Sequence, residues 1–309
     1  MPSRYPERGE IDVVHVGNVT RDVDPADPRG WRAGGGVTYA SLTSARLGLR
    51  SAAVIGADPA AAQAREIDLL RAAGVDVRIV PLSRGPIFEN LETEHGRVQT
   101  CLEPGEPLPV VALPERWLAA GAWLVVPIAN ETGSEWAAAI PEQARLALGW
   151  QGLLRTLVAG ERTARKPPTR GAVVDRADLI GVSRADLEPG TTIADLNAVL
   201  RPATRVVLTD GPTGGILFEA GGAGPSDEIE YDAIAARQVD STGAGDVFLA
   251  ALLAAWLEHA GSAGARGPTP DDLRFAAVAG GLVVEGVGLP AVPDRAAILA
   301  RLALIRAKE

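Results

Sequence analysis

The sequence predicts an α/β fold built on a largely parallel sheet covered by helices on both faces. Three observations carry this. Short, wholly apolar runs alternate with amphipathic stretches of helical period, which is the pattern of strands buried on both faces. The 309 residues suffice for one large core, and 47% hydrophobic with 22% charged residues is the balance of a folded globular chain rather than a disordered one. The last third is mostly helical in pattern.

In chain order, Ile11–Val16 (IDVVHV) reads as a strand stopped by Gly17. Thr38–Leu47 reads as a helix, Ser51–Ile55 as a strand, Gln63–Ala72 as a helix closed by Gly74, and Val77–Val80 as extended. Arg84–Pro109 interrupts the rhythm. It is polar and rich in Gly and Pro, with alternating pieces at Phe88–Glu92 and Arg97–Cys101, so it reads as a strand pair projecting from the main sheet. Trp123–Val126, Leu179–Val182 and Arg205–Thr209 follow as strands, with a helix at Thr192–Leu200. Gly160–Gly171 reads as a basic loop and Gly261–Pro270 as a flexible connection. Helices are expected at Ala244–Glu258, Asp271–Glu285 and Asp294–Ala307.

Several function classes are argued against. A net charge of −9 does not suit a nucleic-acid or anionic-membrane surface. The longest apolar stretches, Val247–Leu257 and Phe275–Val284, are too short to cross a bilayer, and Met1–Glu10 has no apolar signal core. The single cysteine, Cys101, rules out an intrachain disulfide and fits a reducing, cytoplasmic setting. There is no Gly-x-x-x-x-Gly-Lys-Ser/Thr and no Gly-x-Gly-x-x-Gly. The elbow-like Gly181-Val182-Ser183-Arg184-Ala185 ends in Ala, and His15, His95 and His259 lack metal-ligand spacing.

The chemistry concentrates in Asp240–Asp246, DSTGAGD, which runs directly into the apolar helix VFLAALLAAWL. Gly243, Ala244 and Gly245 are small enough for close ligand approach. The helix start leaves amides unpaired and adds its dipole, so the turn is an anion hole. Asp246, in the first turn, is poised to take a proton from an attacking hydroxyl while the amides receive phosphoryl charge. A glycine turn with an aspartate stabilising a helix start is the plainer alternative.

DSTGAGD before an apolar helix resembles the C-terminal signature of the ribokinase/PfkB family of carbohydrate kinases. The resemblance implies a doubly wound, mostly parallel sheet with a small β-strand lid, forming one kinase domain over 1–309 with the lid drawn from about 18–33 and 84–109. It implies Asp246 as base, Gly243, Ala244 and Gly245 as anion hole, and Asp240 as a supporting polar residue. Gly34–Ala40 (GGGVTYA) resembles the N-terminal signature, so Gly34, Gly35 and Tyr39 are expected at the acceptor; Tyr39 stands where many members have Asn. Asp22 resembles the sugar-hydroxyl aspartate, and Asn90 joins it as a polar partner for hydroxyls. Thr209, Gly211 and Gly214 resemble the nucleotide loop. Ser183 and Asp186 occupy the place of an Asn-x-x-Glu motif, which implies Mg²⁺ contacted by Asp186 through water. Gln151-Gly152-Leu153-Leu154-Arg155 is similar to stretches of kinase-like members related to inositol kinases.

The implied activity is ATP- and Mg²⁺-dependent phosphorylation of a hydroxyl on a small sugar or cyclitol, with no nucleic-acid or membrane partner. A homodimer through the lid strands is also allowed. Two alternatives stay open. One is a nucleoside kinase, which 4% aromatic content disfavours. The other is a degenerate member that binds a sugar or nucleotide without turnover, which the departures at Tyr39, Ser183 and Asp186 keep alive.

Overall fold

The computed structural model describes residues 11–93, 96–222, 228–260 and 267–307. Met1–Glu10, His95 and Gly261–Arg266 therefore lie outside the described residues, as does the side chain of Arg97.

The chain opens with β1 (Val13–Asn18), β2 (Thr20–Val23), β3 (Trp31–Gly34), α1 (Gly36–Arg46), β4 (Ser51–Ala57), α2 (Arg65–Ala72) and β5 (Asp76–Pro81). It continues through β6 (Ile87–Thr93), β7 (Gly96–Glu103), α3 (Glu115–Leu118), β8 (Ala122–Val125), α4 (Ser134–Ala139) and β9 (Arg145–Gly149). Next come β10 (Arg155–Thr156), β11 (Glu161–Arg162), β12 (Ala164–Arg165), α5 (Ala172–Arg176), β13 (Leu179–Ser183), α6 (Ile193–Val199) and β14 (Arg205–Thr209). The chain ends with β15 (Gly215–Glu219), β16 (Ile229–Tyr231), α7 (Ala244–His259), α8 (Pro270–Val283) and α9 (Arg295–Arg306).

Among the described residues the main sheet runs β16-β15-β14-β13-β9-β8-β1-β4-β5. The seven strands from β14 to β5 are parallel, and β15 and β16 add an antiparallel edge. Strand order leaves β1 in both directions, first to β4 and β5, then to β8 and beyond. The carboxyl ends of β1 and β8 thus flank the topological switch point, where open α/β sheets bind ligands. One face of the sheet carries α1, α2, α7, α8 and α9. The other carries a second core that includes Trp117, Trp123, Trp136 and Trp150. Helix α7 is buried along nearly its whole length, from Val247 to Trp256, which explains why it is apolar all round.

The second sheet runs β11-β7-β6-β2-β3. Strands β6 and β7 are the strand pair expected within Arg84–Pro109. The expectation for Gly160–Gly171 needs correcting: Glu161–Arg162 pairs with β7, and Ala164–Arg165 pairs with β10. Two-residue strands leave too little periodicity to read from sequence. Strand β9 and the β15–β16 edge were likewise absent from the sequence reading.

A buried carboxylate ties the turn after β8 to the end of β1. Glu131, 2% exposed, accepts hydrogen bonds from the amides of Asn18 (2.9 Å), Ile128 (3.0 Å) and Ala129 (2.7 Å). Its own carbonyl accepts from the amide of Leu108, on the irregular segment returning from the second sheet (2.9 Å). Burial raises the Glu131 pKa, and these amides oppose the rise. Glu131→Gln would set an NH₂ group against amide donors. A stability loss of about 1–3 kcal/mol is expected, read as a lower denaturant midpoint at unchanged slope. An unchanged midpoint would show that the Glu131 carboxylate is not the tie.

Candidate functional site

The site is assembled at the β1/β8 crevice from four pieces of chain. The first is the glycine run between β3 and α1. Gly35 has φ +90° and lies against the Asn18 carbonyl, so the chain passes from β3 into α1 right over the end of β1. Gly36 follows with no room for a side chain: a Cβ there would stand 2.6 Å from Oδ1 of Asp246 and 3.0 Å from Cβ of Val126, just past β8. Asp246 is thereby located at the switch point.

The second piece is the turn into α7. Gly243 caps the helix at φ +79°, a left-handed conformation that suits glycine. A Cβ on Gly243 would run into the ring of Tyr39, so ring and turn pack face against backbone. Asp240 accepts from the Thr242 amide at 2.9 Å and shapes the same turn. The Ala244 amide faces the Ser241 carbonyl at 3.3 Å, and the next amides of α7 begin the unpaired helix start. The Asp246 carboxyl is pushed up to about 7, first by burial and then by the Asp186 carboxylate, while Arg155 pulls it down.

The third piece is one face of the second sheet. In register, Asp22 pairs with Arg32 on β3 and with Phe88 on β6, and Thr20 pairs with Gly34. Cross-strand partners share a face, so Thr20, Asp22, Arg32, Gly34, Phe88 and, two residues on, Asn90 lie on the same side. That side meets the crevice. Thr20 Oγ1 donates to Asp22 at 2.9 Å, and Asp22 fills the space beside Gly34. Arg32 reaches from Asp24 (2.7 Å) to Asp240 (3.3 Å), which links this sheet to the turn before α7. Asn90 accepts from Gln99 Nε2 at 2.8 Å. Buried Tyr39 feels Asp22, Asp240 and Asp246, and with its burial they raise its hydroxyl pKa.

The fourth piece is the carboxyl edge of β13 and β14. Ser183 and Thr209 are adjacent in register. Ser183 and Asp186 form a capping box on a short 3-10 turn. Asp186 also accepts from Gln151 Nε2 at 2.8 Å and lies 3.6 Å from Arg155. Gly211 and Gly214 have φ +53° and +94° in the tight connection from β14 to β15, so this segment has the form of a hairpin.

The structure thus gathers Asp22, Gly34, Gly35, Tyr39, Asp240, Gly243 and Asp246 around one crevice. It gathers Ser183, Asp186 and Thr209 beside it, with Gly211 and Gly214 farther along the hairpin. Sequence reasoning missed the structural parts played by Gly36, Arg32 and Glu131. It noted Arg155 without assigning it a role. Gly36 was in plain view in Gly34–Gly36; what it makes room for was not.

The family model for pfkB family carbohydrate kinases matches residues 170–294. No curated protein matches the chain. Among solved structures, the chain is similar to a pyrophosphate-dependent kinase of the ribokinase family complexed with a pyrophosphate analogue and myo-inositol. Identity is 19% and the TM-score 0.67, over 93% of this chain and 99% of that one. It is also similar to ribokinase from Giardia lamblia, with 16% identity, TM-score 0.69 and coverage of 96% and 99%. Ribokinase from Arabidopsis thaliana, complexed with ribose and ATP, shows 21% identity, TM-score 0.63 and coverage of 94% and 98%.

Proposed function

We propose that this chain, a ribokinase/PfkB-family carbohydrate kinase by its matched segment and its fold, transfers the terminal phosphoryl group of ATP to a hydroxyl of a neutral sugar or cyclitol. The observation that carries this is Asp246: a carboxylate pushed up to about 7, at the switch-point crevice, in the first turn of a helix whose glycine-bearing start faces the same space. A base of that pKa is half ionised at neutral pH and regains a proton readily.

The acceptor hydroxyl is assigned to Asp246, which removes its proton. Asp22 and Asn90 hold neighbouring hydroxyls from the shared face of the second sheet. The amides of the Gly243–Gly245 turn receive the charge that develops on the transferred group. Thr209 and the Gly211–Gly214 hairpin lie on the side of β13 and β14, where the nucleotide is placed. ATP supplies the activated phosphoryl group. Asp186 already accepts from Gln151 and from the Ser183 amide, so Mg²⁺ is assigned one water away from it. The second sheet acts as the lid, excluding water and suppressing ATP hydrolysis. Leu91 and Leu102, on the opposite face from Asn90 and 53% and 42% exposed, support pairing of two lids in a homodimer. Among the described residues, no helix is long and apolar enough to cross a membrane.

The polyol assignment rests on Asp22 and Asn90 and on the absence of Arg or Lys within Gly34–Ala40. Arg32, a cation on that face, is engaged by Asp24 and Asp240. Competition kinetics test it: a neutral sugar or inositol is expected to have the highest specificity constant. A far higher constant for a fructose phosphate or adenosine would sink the assignment.

A further inference from the structure

We infer that Arg155 is a catalytic residue, its guanidinium gripping the phosphoryl group in flight between the donor and the acceptor; this rests on the phosphotransfer reading above. Three observations place it there. First, its location: Arg155 follows β9, at the carboxyl edge of the sheet, between the β1/β8 crevice and the β13/β14 edge. Its charge acts on Asp246, and it lies 3.6 Å from Asp186.

Second, its mounting is rigid. The Trp150 amide donates to the Gly181 carbonyl at 2.9 Å, and the Gly152 amide donates to the Pro127 carbonyl at 3.0 Å. Gly152 packs so close to Pro127 that a Cβ there would collide with its carbonyl, which seats the 151–154 turn on the end of β8. Trp150 and Leu154 are buried at 1% and 0% exposure on either side of the turn. The backbone that carries the cation is held this way, so only the side chain has to turn when charge develops.

Third, its charge environment suits the task. Asp186 and Asp246 put two carboxylates around the place where an anionic phosphoryl group must pass. A guanidinium between them offsets that repulsion and offers a planar fork matched to phosphate oxygens. Gln151 shares the Asp186 carboxylate at 2.8 Å, so Asp186 keeps a hydrogen bond when Arg155 turns to phosphate. The ligand chemistry is the terminal phosphoryl of a polyphosphate, supplied either by a nucleoside triphosphate or by inorganic pyrophosphate. Bond-making and bond-breaking are those of the transfer itself: the acceptor oxygen bonds to phosphorus, the bond to the leaving phosphate oxygen breaks, and the acceptor's proton goes to Asp246.

The test uses Arg155→Met, Arg155→Lys and Arg155→Gly in the full chain. Calorimetry is run with β,γ-methylene-ATP and, separately, with methylenediphosphonate, each with Mg²⁺. The ligand that binds wild type identifies the donor class, and Arg155→Met is expected to bind it at least tenfold more weakly. Turnover with the matching donor is expected to fall roughly 10²–10³-fold in Arg155→Met, with partial recovery in Arg155→Lys and on adding guanidinium to Arg155→Gly. The acid limb of kcat/KM should move to higher pH in Arg155→Met, because Asp246 loses a cation; weaker binding of the analogue and rescue by guanidinium are what a merely structural arginine would not give. Unchanged ligand affinity, or a lower melting temperature with turnover and pH profile intact, overturns the proposal, as does failure of both analogues to bind wild type. Wild type that binds an analogue but phosphorylates no acceptor refutes the function proposed above, and the affinity of Arg155→Met still decides the role of Arg155.

Discussion

Asp246→Asn is expected to lower turnover by roughly 10²–10⁴-fold while leaving nucleotide binding nearly unchanged. The amide is almost isosteric and still fits against Gly36, but it cannot accept the acceptor's proton. The pH dependence follows from the same group. With its pKa near 7, Asp246 is increasingly protonated below neutrality, so kcat/KM should fall about tenfold per pH unit well below pH 7. Stability moves in the opposite sense. The folded pKa lies above the ordinary 3.8, so the contribution of Asp246 to stability is fully present below about pH 4 and is lost as pH rises through about 7. Asp246→Asn should therefore melt higher than wild type at pH 8 and lose that advantage near pH 4. Near-normal turnover in this variant would remove Asp246 from the mechanism, whatever its melting behaviour.

Gly36→Ala is expected to cost about 10²-fold in turnover with little loss of fold stability. Gly36 opens α1, and its backbone lies outside the left-handed region, so alanine is acceptable to the helix itself. The added methyl would sit 2.6 Å from Oδ1 of Asp246, with Val126 behind it at 3.0 Å. Something must give. The short carboxylate side chain yields more readily than the backbone after β8, and a displacement on the order of 1 Å at a reacting group can cost about 100-fold. Single-turnover kinetics beside a thermal melt check this. Wild-type turnover would show that the crevice has slack, and a collapsed melting temperature would show that the strain went into the fold.

The two variants separate chemistry from placement. Asp246→Asn removes the proton acceptor and keeps the geometry; Gly36→Ala keeps the acceptor and disturbs the geometry. If only the first has an effect, the glycine run between β3 and α1 serves chain direction alone. If both do, the tight approach of α1 to α7 is part of the catalytic arrangement.

What could be read from the chain alone was local. Apolar runs marked the central parallel strands, because a strand buried on both faces has no polar side to alternate. DSTGAGD marked the glycine turn into α7, because small residues ahead of an apolar run signal a helix start wherever they occur. The polar interruption at Arg84–Pro109 marked the strand pair, because a break in the βα rhythm is itself a signal. The tertiary structure decided what depends on residues distant in sequence. Nothing within Gly34–Gly36 says that its third glycine makes room for a carboxylate 210 positions later. Glu131 is one acidic residue in a polar turn until folding buries it against the end of β1. Glu161–Arg162 is a charged dipeptide until it reaches the edge of β7. Arg155 and Asp186, 31 residues apart, become a pair only because β9 and β13 are neighbours in the sheet. Periodicity and helix-start chemistry act over a few residues and are written in the chain. Packing clearance, burial and charge pairing arise between elements, and strand order determines which elements meet.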